Sequence, residues 1–286
     1  MSSRRLASAI PVGRRSALAL TVVSLIGLAA FCWPLVMTPS AGIEHGADAP
    51  WIFAAVLPLL IAVIAAELAD GGIDAKSIAM LGVLAAVGAA LRPLGGGATG
   101  FQPMFVVLVL GGYAFGAGFG FVLGAVTMLS SALLTGGVGP WLPFQMLAGA
   151  WVGMGAGLLP HVQSRGRLWL LAAYGFLSSM VFGLLMNLSF WPWALSVSSD
   201  GVASPLSYVA GAPWQQNMGH FIAFHLATSM GWDVTRAIGT VVLVLVAGRA
   251  VLSALERAGR RAAFDAPREF LPAAPPPEAA PVRAAR

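Results

Sequence analysis

The residues with the most chemical capacity fall into three polar islands in an otherwise apolar chain. The first is Arg92-Pro-Leu-Gly-Gly-Gly-Ala-Thr-Gly-Phe-Gln102, with four glycines in eleven residues. Arg92 offers a planar fork of donors suited to an anionic group, and Gln102 adds an amide. The second holds Trp141, Phe144 and Gln145. Gln145 sits one turn into an apolar helix, where a polar side chain needs a partner. The third carries Asn217, His220, His225 and Asp233, with Arg236 three residues further on. Asp233 and Arg236 can pair on one helix face.

Several chemistries lack their residues. No Gly-x-x-x-x-Gly-Lys-Ser/Thr occurs and the chain has one lysine, Lys76, so no phosphate-binding loop of that kind can form. No His-Glu-x-x-His and no Gly-x-Ser-x-Gly is present. His220 and His225 are five apart, off the i, i+4 spacing of a helical metal face. Cys32 is the lone cysteine, which rules out an internal disulfide and a cysteine metal site. No catalytic residue, metal or cofactor is predicted. A hydrolase would need Ser178 or Ser179 beside His220 or His225. A self-contained secondary transporter, the alternative reading, would need a coupling carboxylate, for which Glu67 is the candidate.

The elements that must hold these islands follow from composition. Of the 286 residues, 58% are hydrophobic and 9% charged, against about 25% charged in an ordinary soluble domain. The apolar stretches are continuous rather than alternating, which favours membrane helices over a β-barrel. The fold class is therefore all-α, a polytopic membrane bundle. The net charge of +5 comes largely from arginines at the ends and in short loops. With no interleaved aromatic stack it reads as a topology signal rather than a nucleic-acid surface.

Spans are expected over Ser16–Met37, Trp51–Ala69, Ser77–Leu91, Pro103–Phe115, Gly120–Leu134, Trp141–Leu159, Leu168–Leu188 and Val234–Leu255. One helix over Pro103–Leu134 would run about 48 Å, past the ~30 Å hydrocarbon core, so a turn is predicted near Phe115–Phe119. Asn217–Met230 is read as a partial or re-entrant helix on the outer side. With eight spans every basic cluster lies in the cytoplasm and both termini are cytoplasmic. The division is a basic amino terminus (1–15), two extra transmembrane helices (16–76), a six-helix core (77–258) and a disordered tail (259–286).

Small residues mark close helix packing. Gly112, Gly116, Gly120 and Gly124 recur every four residues, as do Gly149, Gly153 and Gly157. Ala79, Ala85, Ala86, Ala89 and Ala90 give the Ser77–Leu91 helix a smooth surface for a neighbouring helix, within the chain or in another subunit.

Taken together, these features resemble the substrate-specific S components of energy-coupling factor importers. The resemblance rests on the alanine-rich helix, the Arg92–Gln102 loop, Gly-Phe-Gln-Pro-Met-Phe at 100–105, Gly112-Tyr-Ala-Phe-Gly-Ala-Gly-Phe-Gly120, Gly139-Pro-Trp-Leu-Pro-Phe-Gln-Met and Gly231-Trp-Asp-Val-Thr-Arg-Ala-Ile-Gly. It implies a six-helix bundle that binds a vitamin from the outside, with cobalamin as a weak analogy. It also implies docking on a transmembrane T component with two ATPase subunits, in the plasma membrane. By the same resemblance, Ala79, Ala85, Ala86, Ala89 and Ala90 would face the T component, and the loop Arg92–Gln102 would cover the ligand. The substrate site is expected to draw on Arg92, Gln102, Trp141, Phe144, Gln145, Asn217, His220 and Asp233, converging on one outer cavity.

Overall fold

The computed structural model describes residues 13–36, 75–95, 100–162, 166–194, 204–209 and 211–262. These form eight helices and no strand: α1 (Arg14–Val36), α2 (Ala75–Leu94), α3 (Met104–Phe115), α4 (Ala117–Thr135), α5 (Leu142–Leu158), α6 (Gly166–Ala194), α7 (Trp214–Thr228) and α8 (Met230–Ala262). The protein is a polytopic all-α membrane bundle. Four helices, α2, α4, α6 and α8, are long and apolar enough to cross a bilayer, and α1 and α3 contribute shorter apolar stretches. The second expected span, Trp51–Ala69, lies outside the described residues, as do Glu67 and the tail beyond residue 262.

The 103–134 run divides at one residue. Gly116 has φ 97° and ψ 174°, a conformation that side-chain-bearing residues avoid. The chain leaves α3 and enters α4 through it, so two short helices replace one overlong one. Phe119, at the far edge of the predicted turn, is already in the first turn of α4.

The two glycine series form one seam. A Cβ on Gly124 would strike the backbone of Gly149, one on Gly120 that of Gly153, and one on Gly157 that of Gly116 and Ala117. As one index rises by four the other falls by four, which is the register of two antiparallel helices in backbone contact. Gly112 of α3 meets Gly153 from a third direction. Lipid tails are as apolar as leucine, so helices here associate by close packing rather than by escape from water. The core accordingly sits around α3–α5, where nearly every residue of α3 is buried.

α1 joins this core through Phe31, which meets Phe144 edge-on at 5.0 Å, and through Ser24, whose Oγ accepts from Trp151 Nε1 at 2.9 Å. On the other side α6 packs along α8. A second apolar cluster closes one end: Trp191 is fully buried against Tyr208 and Phe221, and its Nε1 donates to the Leu206 carbonyl at 2.7 Å. Burial there pushes the Tyr208 phenol above its ordinary pKa.

Candidate functional site

Arg92 lies in the last turn of α2, where the helix dipole favours a cation. Its side chain turns into the bundle. Nη2 donates to Gln145 Oε1 on α5 at 3.0 Å, and Nη1 reaches Ser131 Oγ on α4 at 3.5 Å. Arg92 lines a cavity of about 300 Å³, with Pro93, Gly95, Gly100, Phe101, Gln102, Thr135 and Trp232. Gly100 is needed for two reasons. Its φ is 75°, and a Cβ would run into the backbone of Trp232. That contact fixes the loop after α2 against the start of α8 and so builds one side of the cavity. Across α8, a Cβ on Gly239 would strike the Phe101 ring, so the glycine leaves that ring its seat.

The expected site residues divide between this cavity and the scaffold. Arg92 and Gln102 line the cavity, and Gln145 is tied to it through Arg92. Trp141 does not line it: it is exposed, and its Nε1 donates to the Gly137 carbonyl at 3.1 Å across the α4–α5 turn. Phe144 is buried against α1. Asn217 is also buried, with Nδ2 donating to the Val209 carbonyl at 2.9 Å and Oδ1 accepting from the Val209 amide at 3.0 Å. His220 Nδ1 donates to the Ser207 carbonyl at 2.9 Å. Asn217 and His220 thus hold the 204–209 segment rather than facing the cavity. The cavity residues with no place in the sequence-based set are Thr135 and Trp232. Trp232 was within reach of sequence reasoning as the neighbour of Asp233; Thr135 ends an apolar helix and carried no signal.

Asp233 belongs to a separate, buried network, in which its Oδ2 and Arg236 Nε have no hydrogen-bond partner among the described residues. Its Oδ1 accepts from Arg236 Nη2 at 2.8 Å, the i, i+3 pair legible in the sequence. Arg236 also donates to the Ser179 carbonyl at 2.9 Å and lies over the rings of Phe105 and Phe182. His225 Nε2 stands 3.7 Å from Asp233 Oδ2, while Asn187 Nδ2 donates to its Nδ1 at 2.8 Å. The carboxylate occupies the space a Cβ on Gly183 would take. The serines do not join a histidine: Ser178 Oγ donates to the Gly175 carbonyl and Ser179 Oγ bonds Thr240 Oγ1. No Ser–His pair for nucleophilic attack exists among these four residues.

The alanines of α2 also divide. Ala85 and Ala89 are buried, on the face where Gly88 abuts Thr127 of α4. Ala79, Ala86 and Ala90 are exposed, together with Gly82, which has open space where a side chain would be.

A family model described as "ECF transporter, substrate-specific component" matches residues 76–248. The chain belongs to this family. No curated protein and no solved structure is significantly similar to it. Members of this family are transport-related substrate-binding proteins rather than enzymes, which agrees with the residues assembled around Arg92. The match starts at the foot of α2 and runs into α8, so it contains every residue that lines the cavity.

Proposed function

We propose that this S component captures a compact, vitamin-like micronutrient from the outside in the cavity beside Arg92 and delivers it through an ATP-driven importer. The observation that carries the proposal is Arg92 itself. A charged side chain at the end of a membrane helix ordinarily snorkels to the interface. This one turns inward onto Gln145 and Ser131, and the residue lines a cavity together with Phe101 and Trp232. A volume of about 300 Å³ is at the small end of ligand sites and favours a compact vitamin over a cobalamin. Gln102 joins Arg92 as a direct contact, Gln145 orients Arg92, and Asn217, His220 and Asp233 support the cavity from behind.

With no phosphate-binding loop of its own, the chain would borrow its energy from a transmembrane T component and two ATPase subunits. The exposed stripe Ala79, Gly82, Ala86 and Ala90 suits such docking, because small residues let a second helix approach closely. Ala85 and Ala89 serve the internal contact with α4 instead. The six-helix core would then be α2–α6 and α8, in the plasma membrane with both termini cytoplasmic.

Two measurements test this reading. The protein purified in detergent should bind one member of a vitamin panel tightly, by calorimetry or by mass spectrometry of co-purifying molecules. Repeated failure across the panel would sink the capture role. Ala86→Leu should weaken co-purification of the co-expressed T component while leaving ligand binding intact. Unchanged co-purification would move the docking surface away from α2.

A further inference from the structure

We infer that the ligand is a compact monocarboxylic acid, and that Arg92 is the residue that selects its charge. The inference rests on the capture role proposed above and deepens it by naming the substrate class.

Arg92 lacks a countercharge among the described residues. Charged groups within membrane helices are paired or face a cavity. Two other arginines of the bundle obey the first option: Arg167 meets Glu256 at 2.6 Å and Arg236 meets Asp233 at 2.8 Å. Arg92 has only the neutral side chains of Gln145 and Ser131 as hydrogen-bond partners among the described residues. No Asp or Glu occurs anywhere from residue 75 to residue 199, so α2–α6 and their connecting loops cannot supply one. The two acids on α8, Asp233 and Glu256, are already paired.

The donor count points the same way. A guanidinium carries five N–H donors, and two contacts are recorded here, one of them at 3.5 Å. The remaining donors can take a carboxylate, which matches the planar fork bidentately. One positive charge balances one negative charge, so a monoanion fits better than a dianionic phosphate, which would bring an unmatched charge into a poorly solvated site. Phe101 and Trp232, which also line the cavity, bring aromatic residues to it for the rest of the molecule.

The test uses the full chain in detergent or nanodiscs, with calorimetry and thermal shift. The acid arm is nicotinate, pantothenate and biotin. The neutral arm is nicotinamide, panthenol and biotin amide. Thiamine and cobalamin represent cationic and bulky ligands. One acid should bind, and its neutral counterpart should bind about 10- to 100-fold more weakly, the weight of a charge-assisted contact. Arg92→Gln should lose the same factor for the acid and nothing for the neutral molecule. Arg92→Lys, which keeps the charge without the fork, should fall between them. Preferred binding of a neutral or cationic vitamin, or acid affinity within twofold of wild type in Arg92→Gln, overturns the carboxylate assignment and leaves the capture role standing. Failure of every panel member to bind wild type overturns both.

Discussion

Two arginines of this protein live under opposite rules. Arg236 sits in the packed wall between α3, α6 and α8, with a carboxylate, a carbonyl and two aromatic faces around it. Arg92 lines a cavity and has two neutral partners and no acid among the described residues. Both are held by side chains from other helices, so neither is a loose surface charge. The difference is whether a countercharge is at hand. Arg236 has Asp233 beside it, although Asp233 Oδ2 and Arg236 Nε are buried without a hydrogen-bond partner among the described residues; Arg92 has no acid beside it among those residues. The first pair joins α8 to α3 and α6, and the second arginine borders the cavity. Trp232 and Asp233 join them, since adjacent residues serve the cavity and the joint respectively.

This contrast can be broken at three points. Removing one partner of the Asp233–Arg236 pair should be the most damaging change. Asp233→Leu strands a buried guanidinium and should cost about 3–5 kcal/mol, read as a lower unfolding midpoint in detergent. Adding Arg236→Leu should recover much of that loss, because the cost lies in the uncompensated charge rather than in the missing attraction. Asn187→Leu is the intermediate case. It leaves the Nδ1 of His225 without its donor and should cost about 1–2 kcal/mol, measured the same way. Arg92→Met should have the smallest effect on stability, within about 1 kcal/mol and in the stabilising direction, since it removes a charge that has no acid partner among the described residues. Should Arg92→Met destabilise as strongly as Asp233→Leu, the two sites would be alike and the open character of the cavity would be lost.

Much of the fold was legible in the sequence. The apolar runs at Ser16–Met37, Ser77–Leu91, Pro103–Phe115, Gly120–Leu134, Trp141–Leu159, Leu168–Leu188 and Val234–Leu255 correspond to α1–α6 and α8. They could be read because helix length in a membrane is set by bilayer thickness. The four-residue glycine spacing announced the seam because it is a property of one helix face. The Asp233–Arg236 pair was visible for the same reason, three residues apart on one helix. The candidate site was only half legible. Asn217 and His220 are the kind of residue that binds ligands, yet their hydrogen bonds are spent on Val209 and Ser207, eight and thirteen residues away. Nothing in their local sequence shows that a neighbouring loop would use them.

The sequence alone determined the class of molecule, the places of α1–α6 and α8 and where the long run must break. These depend on composition, period and residue type, which are local quantities. Tertiary structure decided which polar groups meet. Arg92 reaches Gln145 across fifty-three residues and Ser131 across thirty-nine, and Trp232 joins them from the last helix. Such meetings depend on how helices are rotated and staggered against one another. Small residues permit close approach, but the packed bundle selects the partner.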